Sequence, residues 1–205
     1  AAGDIETAAR LAEGKEMPLH FRGAVTPVLN WLASLPAPVL DAHPGLHVLY
    51  ASALVYVGRL AEVEDKLRAA EAGLAAAADP AGTADHHLCN LLGHIAAIRA
   101  TLAVSQHDSE QIIAQSHRAL EYLPRSNRPV RTAMTWSLGY ARQLQGERAG
   151  AKEAYTAALA ASQEIGHFII TILASLGLGS ILEGENRLDD AAAAYARVLQ
   201  LAGDP

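Results

Sequence analysis

The stretch Met134–Leu159 predicts two helices folded back on each other about a single glycine, Gly146. Apolar and small residues keep helical spacing on both sides of that glycine. They are Ala133, Trp136, Tyr140 and Leu144 before it, and Ala151, Ala154, Tyr155, Ala158 and Leu159 after it. A glycine suits this position because a helix often ends in a left-handed residue, which glycine adopts without steric cost. One hairpin cannot bury both of its faces, so the stretch predicts neighbouring hairpins of the same kind.

The same arrangement recurs along the chain. Turn residues are expected at positions 23, 58, 107, 146 and 186. Position 186 is an asparagine, which of all residue types other than glycine best tolerates a left-handed turn. Small residues recur seven positions before the last four turns and mostly small ones twelve after them. These are Ala51, Ala100, Gly139 and Gly179 before, and Ala70, Ala119, Ala158 and Val198 after. Gly139 is expected to allow close helix approach and Tyr155 to fill the space beyond, whereas Ser116 is a weak fit to the same large-residue position.

Periodicity, caps and prolines together predict ten helices and short loops. The predicted helices are Asp4–Glu16, Ala24–Ser34, Pro44–Val57, Leu60–Ala77, Ala84–Ser105, a helix capped by Asp108 and ending near Leu123, Val130–Gln145, Ala149–Ile165, His167–Glu183 and Leu188–Ala202. The predicted connections include a linker over Ala37–Pro44, loops over Asp79–Thr83 and Pro124–Pro129, and a tight link at Gly166 and His167.

This small, small, large pattern about a helix turn resembles the tetratricopeptide repeat, in a version longer than the usual period of about 34 residues. Three stretches further resemble the superhelical sensor region of MalT-like transcriptional regulators: Phe21–Pro36, His43–Glu71 and Ile95–Ala103. The resemblance implies an all-α, right-handed superhelix of about five antiparallel hairpins, forming one domain over residues 1–205. His107 in place of a turn glycine and the long Ala69–Ala84 connection depart from the pattern.

Regulators of this kind are large LuxR-family activators, with an ATP-binding module before the sensor and a helix-turn-helix after it. The resemblance therefore implies a signal-sensing domain that binds a small-molecule inducer or a regulatory protein and acts on the ATP-binding module of the same chain. Two alternatives stay open. One is the sensor of a MalT-like kinase, and the other is a plain tetratricopeptide scaffold for protein–protein interaction.

Composition narrows the environment and the partners. Among 205 residues, 51% are hydrophobic and 5% aromatic, so one elongated domain can be packed from Ala, Leu, Ile and Val. The net charge of −6, without a Lys/Arg run, argues against nucleic acid as a partner. A single cysteine and no signal peptide favour the cytoplasm. The apolar run Phe168–Leu178 is too short to span a membrane, and the start without Met suggests a piece of a larger protein.

The binding site is expected on the first helix of each hairpin, because in repeats of this kind that helix lines the concave groove about three, six and ten residues before the turn. The groove residues predicted to bind a ligand or peptide are Ser52, Tyr56, Thr101, Trp136, Tyr140, Gln143, Ser180 and Glu183. Trp136 and Tyr140 would stack on a small polar ligand or an extended peptide, with hydrogen bonds from Thr101, Gln143 and Glu183. Alternatively, the aromatic pair packs against the neighbouring unit.

Arg99 stands where other hairpins carry apolar residues, so it either forms a structural ion pair or holds an anionic inducer. His86, Asn90 and His94 share a helix face, but two histidines eight residues apart lie about 12 Å apart, too far to share one metal ion. His43 and His47 have better spacing at a helix end that frays. Phosphate-binding loops and nucleophile motifs are absent from the sequence. We therefore predict no enzyme, no metal and no cofactor.

Overall fold

The structure is a computed structural model that describes residues 25–77 and 86–203, and these residues form α-helices joined by short turns, without a β-strand. The all-α prediction is confirmed, with adjacent helices packed as in a helical solenoid. The helices are α1 Val25–Ser34, α2 Ala37–Asp41, α3 Pro44–Tyr56, α4 Val63–Ala77, α5 His86–Gln106, α6 Ser109–Tyr122, α7 Arg128–Leu144, α8 Arg148–Ile165, α9 Phe168–Gly184 and α10 Leu188–Gly203. A short 3₁₀ helix, Leu60–Glu62, precedes α4.

The predicted bounds agree with these helices to within three residues, apart from one connection. The predicted linker Ala37–Pro44 is wrong in part, because its first half forms the short helix α2. Pro38 lies in the first turn of α2, where its missing N–H needs no partner, and Leu40 is buried. The predicted cap is confirmed, since Asp108 Oδ1 accepts a hydrogen bond from the Gln111 backbone N–H at 3.0 Å. The predicted helix Asp4–Glu16 and loop Asp79–Thr83 lie outside the described residues.

The four predicted turn residues within the described ranges all have left-handed backbone conformation, as the spacing predicts. Their φ angles are 75° at Gly58, 56° at His107, 80° at Gly146 and 58° at Asn186. The residue after each turn donates its N–H to the carbonyl four residues before the turn. These bonds are Arg59 to Leu54, Asp108 to Ala103, Glu147 to Arg142 and Arg187 to Leu182, at 2.9–3.1 Å. One Schellman-type helix end is thus repeated four times. The fifth predicted turn, Gly23, lies outside the described residues.

Contacts divide the described chain into two compact units. The first comprises the residues up to Ile98 together with Tyr122–Pro124, and the second comprises Arg99–Glu121 and the chain from Arg125 onward. In the first unit, α3 packs against α1, α2 and α4. In the second, α7 packs against α8, α8 against α9, and α9 against α10. The single domain over residues 1–205 stays a prediction.

The second unit confirms the predicted exchange of small and large side chains. A Cβ added at Gly139 would lie 2.9 Å from Tyr155 Cδ1, and one added at Gly177 would lie 2.5 Å from Tyr155 Cε2. Tyr155 therefore sits between a glycine of its own hairpin and a glycine of the next. Gly179 and Tyr195 make the same contact within the last hairpin. Ser116, the weak fit, is fully buried, and its hydroxyl has no hydrogen-bond partner in the described residues.

One helix of the described chain, α5, is long and apolar enough to cross a membrane by length and composition alone. The core helix of a non-membrane protein meets the same criteria. Several of its residues are buried in the fold, among them Leu91, Ile95 and Ala100. The shorter apolar helix α9 corresponds to the run noted in the sequence.

The predicted tight link between α8 and α9 is confirmed at Gly166, whose φ is 67°, and at His167, the N-cap of α9. The backbone N–H of His167 donates to Ser162 at 2.8 Å. The imidazole of His167 is only 1% exposed. Burial lowers the pKa of His167 to about 4, although a hydrogen bond to the backbone partly opposes this effect. His167 is therefore neutral at neutral pH.

The buried imidazole makes stability depend on pH. The unfolded chain takes up a proton at His167 below about pH 6.5, whereas the folded chain does so only near pH 4. The free energy of unfolding therefore falls as the pH drops from about 6.5 to about 4, because protonation favours the unfolded chain. We expect His167 to lower the free energy of unfolding by about 1 kcal/mol between about pH 7 and pH 5.5. Urea unfolding of the native chain and of His167→Asn measures the difference in pH dependence. Equal pH dependence in the two proteins would contradict the buried neutral imidazole.

The turn conformation makes a second prediction. Gly146→Ala places a Cβ on a left-handed residue and should lower the free energy of unfolding by about 1 kcal/mol. Gly184→Ala is the matched control, because Gly184 is helical and its nearest neighbour, Arg148 Cζ, is 4.0 Å from an added Cβ. Alanine at that position should raise the free energy of unfolding by about 0.5 kcal/mol. Chemical denaturation measures the free energy of unfolding of both variants. A Gly146→Ala variant more stable than the native chain would contradict the need for a left-handed residue at the hairpin turn.

Candidate functional site

Five predicted groove residues lie on α7 and α9 of the second unit: Trp136, Tyr140 and Gln143 on α7, and Ser180 and Glu183 on α9. Trp136 and Tyr140 are one helical turn apart, and their rings stack with centroids 5.7 Å apart and planes 8° apart. Both side chains are half-buried, whereas Ser180 and Glu183 are exposed. These five side chains are called the α7/α9 site below.

The side chains of Trp136 and Tyr140 pack against buried clusters of the second unit. Trp136 packs against the buried cluster of Ala158, Leu159, Ile170 and Ala174. Trp136 and Tyr140 also pack against the cluster of Ala151, Tyr155 and Ile181. The indole Nε1 of Trp136 is buried without a hydrogen-bond partner in the described residues. The alternative interpretation from the sequence, packing against a neighbouring hairpin, therefore accounts for much of the buried aromatic surface.

A hydrogen bond ties Tyr140 to the turn between α5 and α6. The hydroxyl of Tyr140 lies 2.7 Å from Nδ1 of His107, with ring centroids 6.0 Å apart. Glycine could not make this bond. His107 therefore accepts an unfavourable left-handed backbone and gains a side-chain contact to the next hairpin. The departure from the repeat pattern noted in the sequence thus contacts the α7/α9 site through Tyr140.

Gln143 joins two hairpins through its amide. Its Oε1 accepts a hydrogen bond from the Tyr155 hydroxyl at 2.7 Å, and its Nε2 donates to Ser180 Oγ at 3.4 Å. Burial and, to a smaller extent, the neighbouring Tyr140 raise the pKa of Tyr155, so its hydroxyl stays a protonated donor. The bond to Tyr155 fixes which end of the Gln143 amide faces Ser180.

The last hairpin repeats this arrangement with different chemistry. Glu183, like Gln143, stands three residues before its turn and accepts a hydrogen bond from a tyrosine hydroxyl nine residues after it. The distance from Tyr195 Oη to Glu183 Oε2 is 3.1 Å. Burial, together with Glu183, raises the pKa of Tyr195. The carboxylate of Glu183 stays exposed and can accept further hydrogen bonds.

The remaining predicted residues are not part of the α7/α9 site. Ser52 is half-buried and Tyr56 exposed, both on α3 of the first unit. The prediction for Tyr56 is wrong by one residue. The groove position lies three residues before the turn, which is Val55, whereas Tyr56 lies only two residues before Gly58. On α5, Thr101 is exposed and Arg99 half-buried, and both have interaction partners.

Histidines and acidic residues form no cluster that could hold a metal ion within the described part of the chain. His47 is buried, with Nε2 3.1 Å from Asp41 Oδ1. On α5, His86 is exposed, while burial lowers the pKa of His94 to about 4. Local pairing accounts for His47, and burial accounts for the lowered pKa of His94.

A shallow groove of about 670 Å³ runs along α8 and contains none of the predicted site residues. It is lined by Ala149, Lys152, Glu153, Thr156, Ala157, Ala160 and Glu185. Lys152 Nζ and Glu185 Oε2 pair at 2.7 Å, and the pair lowers the pKa of Glu185. The groove offers alanine side chains, one ion pair and the polar side chains of Glu153 and Thr156, and none of its lining residues belongs to the α7/α9 site.

Sequence reasoning missed the polar partners His107 and Tyr155. Both carried a usable signal. The signal for His107 is that it stands at a left-handed turn position that usually requires glycine. The signal for Tyr155 is that two hairpins carry a tyrosine nine residues after the turn together with a polar residue three residues before the same turn. The offsets identify the hairpin positions, but only the packed helices show which side chains reach each other.

The Tyr155–Gln143 bond can be tested by a double-mutant cycle with Tyr155→Phe and Gln143→Ala. Because Tyr155 is 1% exposed, water cannot replace the lost acceptor, and we expect a coupling of about 1 kcal/mol in the free energy of unfolding. Tyr195→Phe with Glu183→Ala is the matched cycle in the last hairpin. Its coupling should be smaller, since water reaches Glu183. A Tyr155 coupling near zero would contradict the bond.

The chain matches a known protein family. A family model described as the MalT-like TPR region, where TPR denotes the tetratricopeptide repeat, matches residues 93–205, more than half of the sequence. Of the stretches that carried the sequence resemblance, Ile95–Ala103 lies within the match, and Phe21–Pro36 and His43–Glu71 precede it. No curated protein and no solved structure matches the chain. The matched region contains the hairpin turns at His107, Gly146 and Asn186 and the whole α7/α9 site, and the chain therefore belongs to the MalT-like TPR region family.

Proposed function

We propose that the chain is the signal-sensing region of a MalT-like, LuxR-type transcriptional regulator, and that its signal binds at the α7/α9 site. The observation that carries the proposal is the amide of Gln143, which is bonded to Tyr155 in its own hairpin and to Ser180 in the next. The first bond is short and partly buried, whereas the second is 3.4 Å long and ends on the exposed residue Ser180. A ligand can replace the second bond without disturbing the first.

Such a replacement couples binding to the packing of two hairpins. A ligand that takes the Gln143 Nε2 donor or the Ser180 hydroxyl changes the contact between α7 and α9. It shifts the protein between resting and active forms only if it binds those forms with different affinity. In this proposal the output is the ATP-binding module of the same regulator, and this segment itself does not touch nucleic acid or a membrane and carries no catalysis.

The chemistry of the site favours a small polar ligand with hydrogen-bond donors. Ser180 and Gln143 offer hydroxyl and amide groups, and the exposed Glu183 carboxylate offers an acceptor for a hydroxyl or ammonium group. The stacked and half-buried Trp136–Tyr140 pair supplies apolar surface on α7. An extended peptide with a polar side chain presents the same groups.

The second candidate function is a tetratricopeptide scaffold that binds protein rather than a metabolite, with the sensor of a MalT-like kinase as a third. The packing of Trp136 and Tyr140 against buried clusters favours the scaffold, because it leaves less aromatic face for a small ligand. The two functions respond differently to ligands. A sensor is stabilised by a small molecule, and a scaffold by a peptide or a protein.

A thermal-shift screen of polar metabolites against the chain tests the proposal. We expect one class of ligand to raise the melting temperature, and Glu183→Gln to weaken its binding about tenfold through loss of a charged acceptor. Glu153→Gln on α8 is the matched control and should change binding less than about twofold, since Glu153 lies outside the site. Replacing Trp136 or Tyr140 is less informative, because both support buried clusters.

Stabilisation only by peptides would favour the scaffold, and a ligand equally sensitive to both glutamate variants would place binding elsewhere. The regulator context has its own test. The coding sequence flanking this segment should encode an ATP-binding module before it and a helix-turn-helix after it. A kinase domain there would favour the third function.

A further inference from the structure

The amide of Gln143 can face Ser180 with its oxygen or with its nitrogen, and the Tyr155 hydroxyl decides which. Tyr155 is 1% exposed, and its hydroxyl donates to Gln143 Oε1 at 2.7 Å, which is the only hydrogen bond that this hydroxyl makes to the described residues. If the amide were reversed, the buried hydroxyl hydrogen would face an N–H group and lose its acceptor, which destabilises that arrangement. The amide nitrogen therefore faces Ser180, with Nε2 3.4 Å from Oγ.

Both groups at this contact are hydrogen-bond donors with a hydrogen that no described residue accepts. Gln143 Nε2 carries two hydrogens, and Ser180 Oγ accepts one of them. The Ser180 hydroxyl then directs its own hydrogen elsewhere, and Ser180 is exposed. Because the two donor atoms are 3.4 Å apart, one oxygen atom of a ligand can lie about 2.9 Å from both. The contact is therefore a place for a hydrogen-bond acceptor.

A second glutamine shows that this polarity is not a general property of the hairpins. Gln145, just after the end of α7, also places Nε2 3.4 Å from a serine hydroxyl, that of Ser109. Its amide oxygen accepts no hydrogen bond from the described residues, so no buried tyrosine fixes the amide from behind. Reversing the Gln145 amide leaves no buried donor unpaired. The polarity is thus set at Gln143, by Tyr155, and is not set at Gln145.

The charge beside the contact favours a neutral acceptor over an anionic one. Glu183 stands three residues after Ser180 on α9, a spacing that places both on one side of the helix. Its carboxylate repels an anionic group, and the five residues of the α7/α9 site include no basic one. The oxygen that suits the two donors is therefore that of a neutral group with two lone pairs, such as the carbonyl of an amide.

We propose that Tyr155 is a positioning residue through which the α7/α9 site selects a neutral carbonyl oxygen, bound between Gln143 Nε2 and Ser180 Oγ. This selection rests on the proposed function, because the carbonyl is the ligand group that replaces the Gln143–Ser180 bond. Amide carbonyls occur in small polar molecules and in every peptide, so the contact serves a small inducer and an extended peptide alike.

Three small probes test the selection. N,N-dimethylacetamide only accepts hydrogen bonds, propylammonium only donates them, and propionate is a charged acceptor. Each is titrated into the isotope-labelled chain, and NMR follows the side-chain NH₂ group of Gln143 and the backbone N–H of Ser180, with the NH₂ group of Gln145 as the internal reference. We expect saturable binding of dimethylacetamide at least about fivefold tighter than that of either other probe, because it alone satisfies both donors without bringing a charge beside Glu183.

Two variants separate the positioning role from packing. Tyr155→Phe removes only the hydroxyl and lets the Gln143 amide reverse, so the preference for dimethylacetamide over propylammonium should fall to about twofold or less. Gln143→Glu keeps an oxygen for Tyr155 and turns the outward group into a charged acceptor, so the preference should reverse, as read at Ser180. Tyr195→Phe is the matched control, because its hydroxyl donates to Glu183 instead, and it should leave the preference within about twofold of the native chain.

A capped glycine peptide distinguishes the two sources of the carbonyl. Binding at least about tenfold tighter than that of dimethylacetamide assigns the group to a peptide, and equal binding assigns it to a small molecule; both results agree with the selection. Circular dichroism melting confirms that each variant is folded.

The selection is overturned, with the site intact, if propylammonium or propionate binds as tightly as dimethylacetamide, or if Tyr155→Phe keeps the native preference. If none of the probes shifts the signals of Gln143 and Ser180, the proposed function fails at this site together with the selection.

Discussion

The left-handed turn residue is the constraint on which the hairpins of this protein depend. Four helices end in the same way, at Gly58, His107, Gly146 and Asn186. In each, the N–H of the residue after the turn residue donates to the carbonyl four positions before the turn residue. Because this geometry fixes where the second helix starts, residues at equal distances from the turn occupy equivalent places in each hairpin. Packing rules and candidate sites can therefore be written as distances from one residue.

Tyrosine nine residues after the turn has two roles in the second unit. Its ring fills the space that glycines leave, as Tyr155 does between Gly139 and Gly177. Its hydroxyl bonds to the residue three before the turn, Gln143 in one hairpin and Glu183 in the next. The same side chain thus supports the packing and positions the polar groups of the α7/α9 site, so the site is coupled to the stability of the hairpins.

The hairpins, their bounds and the small-to-large packing could be predicted because they depend on local periodicity and on backbone conformation, which single residues reveal. The short helix α2 was missed because Pro36 and Pro38 indicate a break, while a proline in the first helical turn also permits a start. The offset rule selected Trp136, Tyr140 and Gln143 on one helix and Ser180 and Glu183 on another, and their role in binding stays a prediction. Tyr56 shows that a rule based on offsets fails when the count shifts by one. Partners such as His107 for Tyr140 depend on two hairpins meeting.

By itself, the sequence determined an all-α chain, its repeat register and its resemblance to a MalT-like region, because glycine, asparagine and proline restrict the backbone and apolar spacing restricts which faces are buried. Only the tertiary structure decided which polar side chains meet and that the aromatic pair is partly used in packing. The physical reason is range. Turn and helix preferences act within a few residues, whereas hydrogen bonds and burial between hairpins join residues more than thirty positions apart, such as His107 and Tyr140 or Gln143 and Ser180.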